Sequence, residues 1–110
     1  MENILQEIKN ERLRQDAKWG QQDHPILDPV LLDRTPKRMC EEYGLPSENV
    51  AKQLCEAAHR GGYLTYMHIL VEEVSEAASC GRDTQSLRHE LVQVAAVAVA
   101  MIESLDRSKQ

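Results

Sequence analysis

The sequence predicts an all-α fold, and three observations predict it. Apolar residues recur at intervals of three and four along the chain, and no segment sustains a two-residue alternation. Gly20, Gly44, Gly61 and Gly81 each fall where an amphipathic stretch stops, as helix-ending glycines do. The apolar content is aliphatic and rich in alanine, with no Phe, one Trp and three Tyr in 110 residues; such a core suits close helix packing better than a sandwich. The expected architecture is a single domain over residues 1–110. It is four-helix-bundle-like and oligomeric, and an antiparallel helical hairpin carries its most acidic segment.

The first helix is expected over 3–19. Met1, Ile4, Leu5 and Ile8 share one face, which continues into Arg12, Gln15 and Trp19. A stripe that turns from aliphatic to polar either lines a cleft or reaches solvent, with Trp19 as a packing cap. Residues 20–35 read as loop, with Pro25 and Pro29 arguing against a strand and Val30-Leu31-Leu32 expected to pack on the helices. A short helix at 36–43 follows, with Thr35 as N-cap, Pro36 at the first position and Gly44 as stop. Ser47 caps the next, over 48–60, with Val50, Leu54, Ala57 and Ala58 on its apolar side. The acidic helix runs from about Thr65 to Cys80 and the last from Asp83 or Thr84 to about Asp106. From Val92 to Ile102 the last helix has no charge and is apolar nearly all round, so burial on more than one side, near a homodimer or homotetramer interface, is expected.

Composition excludes several classes of function. A formal charge of −5 argues against a partner that is a nucleic-acid polymer. The apolar run Val94–Ile102 is much shorter than the roughly 20 residues of a membrane span, so no membrane partner is expected. Cys40, Cys55 and Cys80 are odd in number and form no Cys-x-x-Cys pair; reduced thiols in the cytoplasm are expected. The acidic, amphipathic start of the chain does not read as a signal peptide.

The chemistry concentrates in Leu70-Val71-Glu72-Glu73-Val74-Ser75-Glu76-Ala77-Ala78. Leu70, Val74, Ala77 and Ala78 form an apolar stripe, and Glu73 lies roughly 60° from its centre. Glu73 and Glu76 are neighbours at i and i+3, and Glu72 and Glu76 at i and i+4, so three like charges repel. On the last helix Glu90 points with Leu87, Val94, Val97 and Met101, on the stripe expected to be buried. An unpaired carboxylate there costs on the order of several kcal/mol or stays protonated. A divalent cation shared by Glu73, Glu76 and Glu90 removes both penalties, and an all-oxygen set suits Mg²⁺ or Mn²⁺. Isolated glutamates on a helix are otherwise ordinary solvated residues. Glu56-Ala57-Ala58-His59 supplies one Glu-x-x-His, where a carboxylate di-iron bundle needs two.

The pattern Glu72-Glu73-Val74-Ser75-Glu76, thirteen residues, then Glu90-Leu91-Val92-Gln93 resembles the MazG-like all-α nucleoside triphosphate pyrophosphohydrolases, in particular the small bacterial and phage type related to dimeric dUTPases and dCTP pyrophosphatases. Glu11-Arg12-Leu13-Arg14-Gln15-Asp16-Ala17-Lys18-Trp19-Gly20 with His24-Pro25, and Thr65-Tyr66-Met67-His68-Ile69-Leu70, add to the resemblance. It implies Mg²⁺-dependent hydrolysis of a nucleoside triphosphate to the monophosphate and pyrophosphate. Glu73, Glu76, Glu90 and Gln93 would be metal ligands, and Glu72 and Glu73 catalytic, Glu72 by binding a second metal or by orienting the attacking water. Arg14 and Lys18 would meet phosphate, and Trp19 would stack on the base. Position 93 departs from the family's Asp: Gln keeps a carbonyl oxygen but removes a negative charge. The competing expectation is a helical dimer of weak or no activity that binds a nucleotide or a partner protein.

Overall fold

The structure, a computed structural model describing residues 1–108, consists of five helices: α1 (Glu2–Trp19), α2 (Pro36–Glu42), α3 (Glu48–Gly61), α4 (Tyr66–Ala78) and α5 (Thr84–Ser108). A short 3₁₀ turn, Pro29–Leu31, interrupts the loop after α1. Among the described residues there is no strand.

The expected local signals largely act as capping groups. Thr35 accepts a hydrogen bond from the Arg38 amide and Ser47 accepts one from the Val50 amide, so both hydroxyls satisfy helix donors that lack an intrahelical partner. Asp83 does the same for α5, its carboxylate accepting from the Ser86 amide at 3.0 Å and from the Ser86 hydroxyl at 2.7 Å. The stop of α3 differs from the expectation by one residue. Gly61 is the last helical position, and Gly62, at φ 76°, adopts the left-handed conformation that reverses the chain.

The hairpin of α4 and α5 is the centre of the molecule. It turns through Gly81, whose φ of 58° and 3.3 Å approach of the Leu32 carbonyl to any added Cβ favour glycine there. The other helices attach in series: α3 and α2 pack on α4, and α1 rests mainly on α5. The contact that would close a four-helix bundle, α1 against α3 or α4, is not among the principal ones. One chain thus forms an open layer, 44 × 42 × 21 Å.

Two long-range bonds set the path of the loop after α1. The Asp28 amide donates to the Tyr43 hydroxyl at 2.8 Å, and the Arg82 guanidinium holds Asp33 at 2.7 and 2.9 Å. Contrary to the expected inward packing of Val30-Leu31-Leu32, Val30 is 79% exposed while Leu31 and Leu32 are half-buried. In a 3₁₀ turn about three residues complete a circuit, so successive side chains splay apart and only part of an apolar run faces the protein.

The fully buried apolar set is small: Ile4, Met39, Cys40, Ala51, Ala58, Ala77, Ala78 and Leu87. Only Leu87 of α5 belongs to it, so the burial expected all round that helix is not achieved within one chain. The accessible surface is 8192 Å². A compact monomer of 12.5 kDa exposes about 6200 Å² by the usual size scaling. The radius of gyration, 16.0 Å, likewise exceeds the roughly 13 Å of a compact domain of this length.

Candidate metal centre

The helical period places Glu73 and Glu76 on one face of α4, a turn apart, and the antiparallel return of α5 brings Glu90 against them. One carboxylate oxygen from each residue lies within 4.8 Å of the other two. All three side chains are half-buried. Glu73 Oε2 and Glu90 Oε2 are shut off from solvent and have no hydrogen-bond partner. Among the described residues, no ion pair involves Glu72, Glu73, Glu76 or Glu90.

The electrostatics follow from that geometry. Burial raises the Glu76 carboxyl to about 8, helped by its hydrogen bond to Glu90 and then by the charges of Glu73, Glu90 and Glu72. Glu73 is also raised, first by burial and then by the Glu90 charge, while its bond with Glu76 opposes the shift. A low-polarity site that gathers carboxylates without a cationic side chain must either retain a proton or take up a cation. The donor set fits the second choice: three convergent carboxylates, two with an oxygen lacking any partner, form an all-oxygen arrangement suited to Mg²⁺ or Mn²⁺.

The remaining candidate residues fall in three places. Gln93 follows Glu90 on the same face of α5, three residues on, and is half-buried. Glu72 is half-buried on α4 and faces α3, where burial and then the Glu72 carboxylate push the Cys55 thiol up to about 11. Arg14 and Trp19 line a hollow of about 520 Å³ with Arg12, Gln15 and His24, so the stripe of α1 does border a cleft. That cleft shares no lining residue with the carboxylate cluster. Arg14 there pairs with Glu11 at 2.8 Å, and the Lys18 ammonium stands 4.7 Å over the Trp19 ring. Glu56 and His59 are exposed on α3.

One neighbour of the cluster was not anticipated. Cys80 donates to the Glu76 carbonyl at 3.3 Å, and its thiol is raised first by burial and next by the Glu90 charge. Cys80 lies four residues after Glu76 and two past the end of α4, where the expected helix to Cys80 has already stopped. Ser75, between Glu73 and Glu76, is fully buried with an unpartnered hydroxyl, and its carbonyl accepts from the Cys40 thiol of α2 at 3.4 Å.

Comparisons with protein-family models, with curated proteins and with solved structures find no match for this chain.

Proposed function

We propose that the chain is a Mg²⁺-dependent nucleoside triphosphate pyrophosphohydrolase of the MazG-like type, releasing pyrophosphate and a nucleoside monophosphate, with removal of non-standard nucleotides as a fitting role. One observation carries the reading: the carboxylates of Glu73, Glu76 and Glu90 converge inside a single 4.8 Å cluster, and Glu73 and Glu90 each keep a buried oxygen with no partner. In this reading Glu73, Glu76 and Glu90 hold the cation, and Gln93 offers a neutral carbonyl oxygen beside them. A cation held there would neutralise triphosphate oxygens and lower the pKa of a water for in-line attack on the α-phosphorus. The resemblance would give Glu72, next to Glu73 on α4, either a second cation to hold or the orienting of the attacking water. The resemblance gives Trp19 to base stacking and Arg14 and Lys18 to phosphate; within one chain the cleft that Arg14 and Trp19 border shares no lining residue with the carboxylates. A homo-oligomer in a reducing cytoplasm fits the exposed apolar surface and the three free thiols.

The test is pyrophosphate release from a panel of canonical and modified triphosphates with Mg²⁺ or Mn²⁺. The expected result is turnover of at least one nucleotide, abolished by EDTA and reduced on the order of a hundredfold or more in Glu73→Gln. No release above the Glu73→Gln background across the panel would sink the proposal.

A further inference from the structure

The side of α4 that meets α3 sets a thiol beside Glu72. Cys55 projects from α3 into the seam between the two helices and is half-buried there. Its thiol donates to the His68 carbonyl at 3.2 Å. Glu72 lies four residues after His68, one turn along α4, and its carboxylate comes within hydrogen-bonding reach of the same thiol. The neighbours of Cys55 on α3 do not compete for this place: Leu54 lines an apolar hollow with Val71, and Glu56 is exposed. A thiol has one proton to donate, so the carbonyl and the carboxylate share it. Burial, and then Glu72, hold the thiol up at about 11, so it keeps that proton through the neutral range.

Glu72 has no cationic partner to hold it. Among the described residues no lysine, arginine or histidine pairs with it. A glutamate side chain turns about several bonds, and one without a partner spreads over several rotamers. We infer that Cys55 is a positioning residue for Glu72: its S–H, seated against the His68 carbonyl, steadies one carboxylate oxygen on the α3 side and leaves the other for the site. The inference rests on the pyrophosphohydrolase reading, in which Glu72 holds a second cation or orients the attacking water. Either task needs the carboxylate in one place. Hydrogen-bonded neighbours of such groups change activity by about ten- to a hundredfold when removed. Cys55 acts through Glu72 and takes no part in the chemistry itself.

The experiment has two arms. The first follows iodoacetamide alkylation of each cysteine by mass spectrometry, in EDTA at about pH 8 and without nucleotide, in the wild type and in Glu72→Gln. Cys55 should react several-fold faster in the variant, because the carboxylate that disfavours its thiolate is gone. Cys80, whose charged neighbours are Glu90, Asp83, Glu48 and Glu76, should react at an unchanged rate. The second arm measures kcat and KM for the nucleotide that the protein turns over, in Cys55→Ser, Cys55→Ala and Cys55→Val. Serine keeps a donor. Alanine and valine remove it, valine while still filling the seam. Both should lower kcat about tenfold with KM within about twofold, and serine should restore most of the loss. A Cys55 alkylation rate equal in the wild type and Glu72→Gln overturns the inference. So do alanine and valine variants as fast as the wild type, or a serine variant as slow as both. A wild type that turns over no nucleotide sinks the pyrophosphohydrolase reading and the positioning role with it. The alkylation arm tells that failure apart from a missing contact.

Discussion

At the scale of single residues, the carboxylates have opposite consequences with and without a cation. In the cation-free protein Glu76 holds its proton up to about pH 8, whereas an unfolded chain releases it near the ordinary carboxylate value of 4.5. Between those values the folded state binds more protons, so stability falls as pH rises. The contribution is complete below about pH 4.5 and lost through about pH 8; Glu73 acts in the same direction. Glu76→Gln keeps the shape and offers a hydrogen-bonding amide in place of the carboxyl, but cannot ionise. Urea unfolding in EDTA should show the variant more stable than wild type at pH 8, by about 1–3 kcal/mol, with the difference shrinking towards pH 5. The same variant should bind Mn²⁺ far more weakly. A variant less stable than wild type at pH 8 in EDTA would mean that the cluster is not electrostatically strained.

At the scale of elements, α4 presents the site, and its start is fixed by an unusual reciprocal cap. The Thr65 hydroxyl accepts from the His68 amide at 3.3 Å, and the Thr65 amide donates back to His68 Nδ1 at 3.0 Å. The Thr65 and His68 side chains also bond each other at 2.7 Å. Thr65→Ala should therefore cost about 1 kcal/mol, or on the order of 4 °C in melting temperature, and Thr65→Ser should restore most of it. Equal melting of the alanine and serine variants would show that the hydroxyl is idle. The comparison also marks what sequence alone can reveal. Thr35, Ser47 and Pro36 were legible as start signals because N-capping is local chemistry. The carboxylate cluster was legible because helical spacing fixes Glu73 and Glu76 on one face, and a short turn forces α5 back against it. The Thr65–His68 box was not legible, since histidine replaces the usual Glu or Gln at the third position. Nor was the position of the Trp19 cleft. The loop beyond it follows the Tyr43–Asp28 and Arg82–Asp33 bonds, which join residues 15 and 49 apart and leave no periodic trace.

At the scale of the whole molecule, the proposed reading makes stability depend on a cation, given the small buried set and the carboxylate cluster. Eight fully buried apolar residues, half of them alanines, leave a single chain with little reserve. A cation that binds the folded cluster and not the unfolded chain adds about 2.7 kcal/mol at a hundred times its Kd, on the order of 10 °C in melting temperature. The sign of its pH dependence follows from Glu76. Below about pH 8 the cation must displace the proton held there, so apparent affinity should rise with pH, by up to about tenfold per unit, and level off above that value. Melting scans with Mn²⁺ at pH 6, 7 and 8 should thus show a growing thermal shift, reversed by EDTA and absent in Glu90→Gln. Calorimetric titration at pH 7 in buffers of different ionisation enthalpy should show close to one proton released per site. A thermal shift that is independent of pH, or that survives Glu90→Gln, would place the bound cation somewhere other than between α4 and α5.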